Sequence, residues 1–173
     1  PEPLPQSECA TILDAAALSG DIKAMHFFAL MCYSGDNGIE IDKKKASEYF
    51  KLAADNGNID SMFNYAVMLD KGEGIDVDKK EAARYFKMAA DQGEIKAIYN
   101  FALMLKNGEG VECDKKKAAS YFKQAADRGV AQSMFNLALM LKNGDGVDVD
   151  KGDAFRYFRL AADRGHLKAI RNC

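Results

Sequence analysis

The chain has 173 residues, 48% of them hydrophobic and 29% charged, and its 24 Lys plus Arg against 26 Asp plus Glu leave a formal net charge of -2. That balance predicts a soluble globular chain able to bury a sizeable core, and it excludes the clustered positive charge with which nucleic-acid binders displace counterions. No apolar run approaches the roughly 20 residues of a membrane span, and no charged-then-apolar start marks a signal peptide.

All three prolines stand at Pro1, Pro3 and Pro5. Residues 1–6 therefore read as a Pro-rich linker, and the remainder, free of this helix breaker, is predicted to be helical. Residues 7–19 read as a degenerate half copy of a unit that then recurs. Gly57, Gly93, Gly129 and Gly165 stand 36 residues apart, each shortly after an Ala-Ala-Asp. A second marker, Gly-x-Gly followed by Ile or Val, recurs at Gly72–Gly74, Gly108–Gly110 and Gly144–Gly146. The first copy carries one extra residue in Gly35-Asp36-Asn37-Gly38, so Gly20 precedes Gly57 by 37 residues. The copies are 20–56, 57–92, 93–128 and 129–164, with a truncated copy at 165–173, all within one solenoid over 7–173.

Each copy predicts two helices. In the second, apolar residues cover most of the wheel from Asn58 to Asp70, and Asp60, Asn64 and Lys71 share one polar stripe. This A helix is packed on nearly all sides with a narrow strip open. Gly72 and Gly74 end it, because glycine reaches left-handed conformations cheaply. Asp78 is predicted to cap the following B helix, with Glu81 completing a capping box; Asp42, Asp114 and Asp150 hold the same position. The B helix sets Ala82, Tyr85, Phe86 and Ala89 against a charged outer face, and Gly93 marks its stop. Two such short helices cannot bury their apolar faces alone, so the copies must stack. Ser61, Ala66, Ala82 and Ala89 are the small residues expected to let helices approach. The fold predicted is all-α: a right-handed α/α superhelix, or solenoid, of about four 36-residue helix–turn–helix repeats with a partial repeat at each end.

Residues 61–75, Ser-Met-Phe-Asn-Tyr-Ala-Val-Met-Leu-Asp-Lys-Gly-Glu-Gly-Ile, resemble the A-helix-and-turn signature of the Sel-1-like repeat family. Residues 82–93, Ala-Ala-Arg-Tyr-Phe-Lys-Met-Ala-Ala-Asp-Gln-Gly, resemble its B helix. The family is related to tetratricopeptide repeats, whose period is 34 rather than 36 residues. Ala66 stands where the family usually has Gly, and Leu69 where Tyr is frequent. The regular cysteine pair of the family's secreted branch is absent, since Cys9, Cys32, Cys113 and Cys173 show no recurring spacing. Free thiols predict a reducing, cytoplasmic setting. The resemblance implies a non-catalytic adaptor that binds a peptide or protein partner along its concave, A-helix side. The alternative is a structural spacer or a segment that self-associates through its solenoid ends.

The candidate binding residues follow the open strip. Asn64, Asn100, Asn136 and Asn172 recur every 36 residues, and an amide offers both a donor and an acceptor to an extended peptide backbone. Phe27 replaces the amide in the first copy. Lys23, Lys96 and Lys168 lie on the same strip and make it mildly basic, which favours an acidic partner segment. The methionines Met31, Met68, Met104 and Met140 sit at the edge of the buried face and are read as core filling. Asp145, Asp148, Asp150 and Asp153 lack the ligand alternation of a calcium loop. His26 and His166 lie in distant repeats, neither with a Cys or Ser at a suggestive spacing. No catalytic residue, metal or cofactor is expected, and no nucleic acid or membrane insertion.

Overall fold

Glycine and aspartate punctuate the chain where the sequence pattern places them, and the helices start and stop there. The computed structural model describes residues 6–36 and 39–171. Among the described residues there are ten α-helices and no strand: α1 (Gln6–Leu18), α2 (Ile22–Ser34), α3 (Lys43–Asp55), α4 (Ile59–Lys71), α5 (Lys79–Asp91), α6 (Ile95–Asn107), α7 (Lys115–Asp127), α8 (Ala131–Asn143), α9 (Lys151–Asp163) and α10 (Leu167–Ile170). The even-numbered helices are A helices, and the odd ones from α3 onward are B helices. The chain divides into two compact units, Pro1–Ala89 and Ala90–Cys173.

In the first unit α4 begins at its cap Asn58, whose side chain accepts from the Ser61 amide, and ends at Gly72 with φ 72°. The Gly72 and Glu73 amides both donate to the Met68 carbonyl, which satisfies the helix end. Asp78 Oδ1 accepts from the Glu81 amide at 2.9 Å, as a cap should. The expected capping box is not completed. The Glu81 carboxylate turns instead to Arg84, at 2.6 and 3.0 Å, and the Asp78 amide donates to Leu69 of α4 at 3.0 Å. Every B-helix cap repeats that second bond: Asp42 to Cys32, Asp114 to Leu105 and Asp150 to Leu141, at 2.8–2.9 Å. The cap amide is therefore satisfied by the preceding A helix, and one residue both starts B and ties it to A.

The turn glycines hold the next link. A Cβ on Gly74, at φ 77°, would lie 2.4 Å from the Lys43 carbonyl carbon, so the turn after α4 rests directly on the start of α3. Between these glycines Glu73 reaches the Lys43 ammonium at 2.8 Å and accepts from the Tyr33 hydroxyl. Further along, the Tyr85 hydroxyl donates to Asp55 and the Tyr49 hydroxyl to Asp14, which joins successive B helices and α1. Ser61, Ala66, Ala82 and Ala89 are fully buried, as their small size requires.

The second unit repeats the scheme. Asp145 pairs with Lys115 at 2.7 Å, and a Cβ on Gly146 would meet the Lys115 carbonyl carbon at 2.5 Å. The Arg128 guanidinium donates to the Gly93 carbonyl at 2.8 Å, spanning one repeat. Met31 and Met68 in the first unit and Met104 and Met140 in the second are all buried, which bears out their reading as core. No described helix is long and apolar enough to cross a membrane.

Candidate functional site

The A helices leave open the strip their wheels predict. In the first unit Lys23 and Asp60 are exposed and Asn64 and Val67 are half-buried. Phe27 is 54% exposed, an unusual position for a large apolar ring. Asn64 stands with Leu30, Tyr33 and Val67 over a small cleft of about 120 Å³, and makes no side-chain hydrogen bond among the described residues.

In the second unit Lys96, Gln132 and Lys168 are exposed, while Asn100 and Asn136 are half-buried. The strip here opens into a cleft of about 490 Å³. One wall is Tyr99 and Leu103 of α6, and the floor is Gln132, Phe135 and Asn136 of α8. Arg164, His166 and Lys168 close the far side. Lys96 and Asn100 share α6 but do not line it. Asn172 lies outside the described residues.

The amides are partly engaged within the protein. Asn100 Nδ2 donates to the Lys96 carbonyl at 2.8 Å, and Asn136 Nδ2 to the Gln132 carbonyl at 2.9 Å. Asn136 Oδ1 also accepts from the Lys106 ammonium of α6 at 3.3 Å. Burial pushes the Tyr99 phenol up, against a hydrogen bond with Asn136 that acts the other way. Asn100 thus keeps one N–H for a partner, whereas Asn136 is engaged with Gln132, Lys106 and Tyr99 and links two neighbouring A helices.

Two features escape a reading confined to single copies. The residue before Asn64, Asn100 and Asn136 is aromatic, and it braces the strip from below. Phe63 meets Phe86 at 5.8 Å, Tyr99 meets Phe122 at 6.0 Å, and Phe135 meets Phe158 at 5.7 Å between ring centroids. The 36-residue recurrence of Phe63, Tyr99 and Phe135 was the available signal. His166 stacks on Phe135 at 4.4 Å and so helps form the cleft.

One histidine does meet a serine, at a spacing the sequence does not single out. His26 Nδ1 lies 2.8 Å from Ser61 Oγ, one repeat away along the chain. Both side chains are buried, Ser61 completely, and the Phe27 and Phe50 rings lie beside the imidazole. Burial lowers the pKa of His26, and the nearby Asp60 charge opposes this only in part. A serine with no open face toward substrate serves packing rather than nucleophilic attack.

The Sel1 repeat family model matches residues 22–58, 59–94, 95–130 and 131–166. Among solved structures, a protective antigen of uropathogenic Escherichia coli with an SLR fold is 27% identical at a TM-score of 0.87, over 92% of this chain and 34% of that one. A Sel1 repeat protein from Oxalobacter formigenes is also 27% identical, at a TM-score of 0.78 over 87% of this chain and 61% of that one. The cysteine rich protein B of Helicobacter pylori shares the fold at 22% identity and a TM-score of 0.60, over 79% of this chain and 99% of that one. The chain therefore spans only 34% and 61% of the first two proteins' lengths. No curated protein matches it. With four successive copies matched, and the B-helix aspartate cap, the A-helix stop glycine and the small contact residues in place in each, the chain belongs to the Sel1 repeat family.

Proposed function

We propose that this chain is a non-catalytic adaptor that holds a peptide or protein partner against the concave strip of its A helices. Sel1 repeats are generally protein-interaction modules, and the single observation supporting the site is the cleft of about 490 Å³ beside α8. Its lining joins apolar rings, amides and cations, the mixture that suits an extended peptide with an acidic side chain: rings for apolar contact, amides for the backbone, cations for the carboxylate. Arg164 and Lys168 supply positive charge at its edge, and among the described residues no acidic one lines it. Asn64 and Asn100 contribute N–H groups, Asn136 contributes its amide oxygen, Lys23 and Lys96 favour the acidic segment at longer range, and Phe27 offers an apolar contact at the start of the strip. A reducing, cytoplasmic setting fits the free thiols of Cys32 and Cys113.

The test is a peptide-library selection at low and high salt, followed by variants of the strip. Gln132→Ala is the cleanest, since Gln132 is exposed and its side chain makes no internal hydrogen bond among the described residues. It should weaken the selected peptide about two- to tenfold, the worth of one net hydrogen bond, at unchanged unfolding midpoint. Binding that is indifferent to Gln132→Ala, to Lys168→Ala and to salt would place the partner elsewhere.

A further inference from the structure

Helix A and helix B of each of the first three repeats meet through an edge-to-face aromatic pair. Phe28 meets Tyr49 at 4.9 Å, Tyr65 meets Tyr85 at 4.9 Å, and Phe101 meets Tyr121 at 5.1 Å, with interplanar angles of 77°, 88° and 90°. The fourth repeat keeps the tyrosine, Tyr157, but puts Leu137 where the ring of the A helix stands in the others. Leu137 and Tyr157 are themselves only 4% and 6% exposed, and the space beside them is open. A cleft of about 360 Å³ lies there, lined by Leu137, Leu141, Val147, Tyr157, Lys123 and Asp153 among others. Leu141 is half-buried, whereas its counterparts Leu69 and Leu105 are 5% and 6% exposed. An apolar cavity of about 150 Å³ already suffices to take up benzene, so this one has room for a substituted ring.

The second repeat shows what chemistry the vacant place accommodates. Burial pushes the Tyr65 phenol up, and the charges acting on it are those of Lys51, Glu81, Asp55 and Arg84. Two repeats on, the same positions hold Lys123, Asp153, Asp127 and Arg156. Lys123 and Asp153 both line the cleft; each is paired along its own helix, with Asp127 at 2.9 Å and Arg156 at 3.2 Å, and the ammonium and the carboxylate keep donor and acceptor capacity for a phenol hydroxyl. We propose that this cleft is a docking site for a tyrosine side chain of a partner protein. The ring packs on Leu137 and Leu141, meets Tyr157 edge to face, and sets its hydroxyl between Lys123 and Asp153. The cleft shares no lining residue with the A-helix cleft beside Asn136, so the two assignments stand or fall separately.

Methyl-resolved NMR of the whole chain tests it directly. p-Cresol, the tyrosine side chain alone, should shift the methyls of Leu137, Leu141 and Val147 saturably. 4-Methylcyclohexanol, of similar size but without the ring electrons, should bind about two- to twelvefold more weakly, the range expected for one aromatic pair. N-acetyltyrosinamide should move the same methyls and N-acetylleucinamide should not. Leu137→Tyr fills the place from within and should weaken p-cresol at least tenfold while keeping the helical spectrum; Leu137→Phe repeats the test with the hydroxyl removed. Methyls unmoved by p-cresol, equal response to the aliphatic alcohol, or undiminished binding to the filled variants would overturn the proposal. So would failure of both variants to fold, since that would show that no ring fits.

Discussion

Gly74→Ala probes the contact by which one repeat rests on the next. The added Cβ would lie 2.4 Å from the Lys43 carbonyl carbon, 2.5 Å from its oxygen and 2.7 Å from its Cβ. The first two are backbone atoms at the start of α3, so relief requires the turn and the helix to part. Gly74 also sits at φ 77°, which costs an L-residue about 1–2 kcal/mol. Overpacking adds about 1–3 kcal/mol, for a total of about 2–5 kcal/mol. Gly57→Ala is the matched control in the same unit. Its φ is 93°, but nothing lies within 4 Å of an added Cβ, so only the conformational cost of about 1–2 kcal/mol applies. Both substitutions restrict the unfolded chain alike, and that contribution cancels in the comparison. Urea unfolding followed by circular dichroism should therefore show the larger loss for Gly74→Ala, with each 1 kcal/mol moving the midpoint by about 0.3–1 M. Equal losses would refute the claim that the second turn glycine is required by close approach rather than by backbone conformation.

Ala82 is fully buried, and Ala82→Leu should lower stability by about 1–3 kcal/mol in the same assay, because the surrounding helices have no room to yield. Burial holds the folded-state pKa of His26 below its ordinary 6.5. The unfolded chain then binds more protons, so His26's contribution is complete above pH 6.5 and is lost as pH falls through the window beneath it. Lowering the pH from about 7.5 to about 5.5 should reduce the urea midpoint. His26→Phe, which installs the kind of ring that Phe63 and Phe135 provide at this position, should flatten that dependence; identical slopes would exclude His26 as its source.

Comparison of individual positions shows how far the chain announces its own fold. Asp42, Asp78, Asp114 and Asp150 cap the B helices as their spacing implies, and Gly72, Gly108 and Gly144 end A helices in the left-handed region. The Glu81 half of the capping box fails because its competitor is distant in sequence: the Leu69 carbonyl reaches the Asp78 amide first. The open strip was legible from one helical wheel. That Asn136 binds Lys106 was not, because this bond depends on how two A helices are spaced.

The B-helix cap aspartates, the A-helix stops, the amphipathic faces and the repeat itself are settled by the sequence alone, because each depends on backbone torsions or side-chain periodicity within a few residues. Tertiary structure decided the rest. The His26–Ser61 bond, the seat of Gly74 on Lys43 and the unfilled place over Leu137 all join residues about one repeat apart or lie between helices. Their chemistry arises only when stacking brings separate turns within van der Waals reach, where one ring more or less changes a filled contact into a cleft.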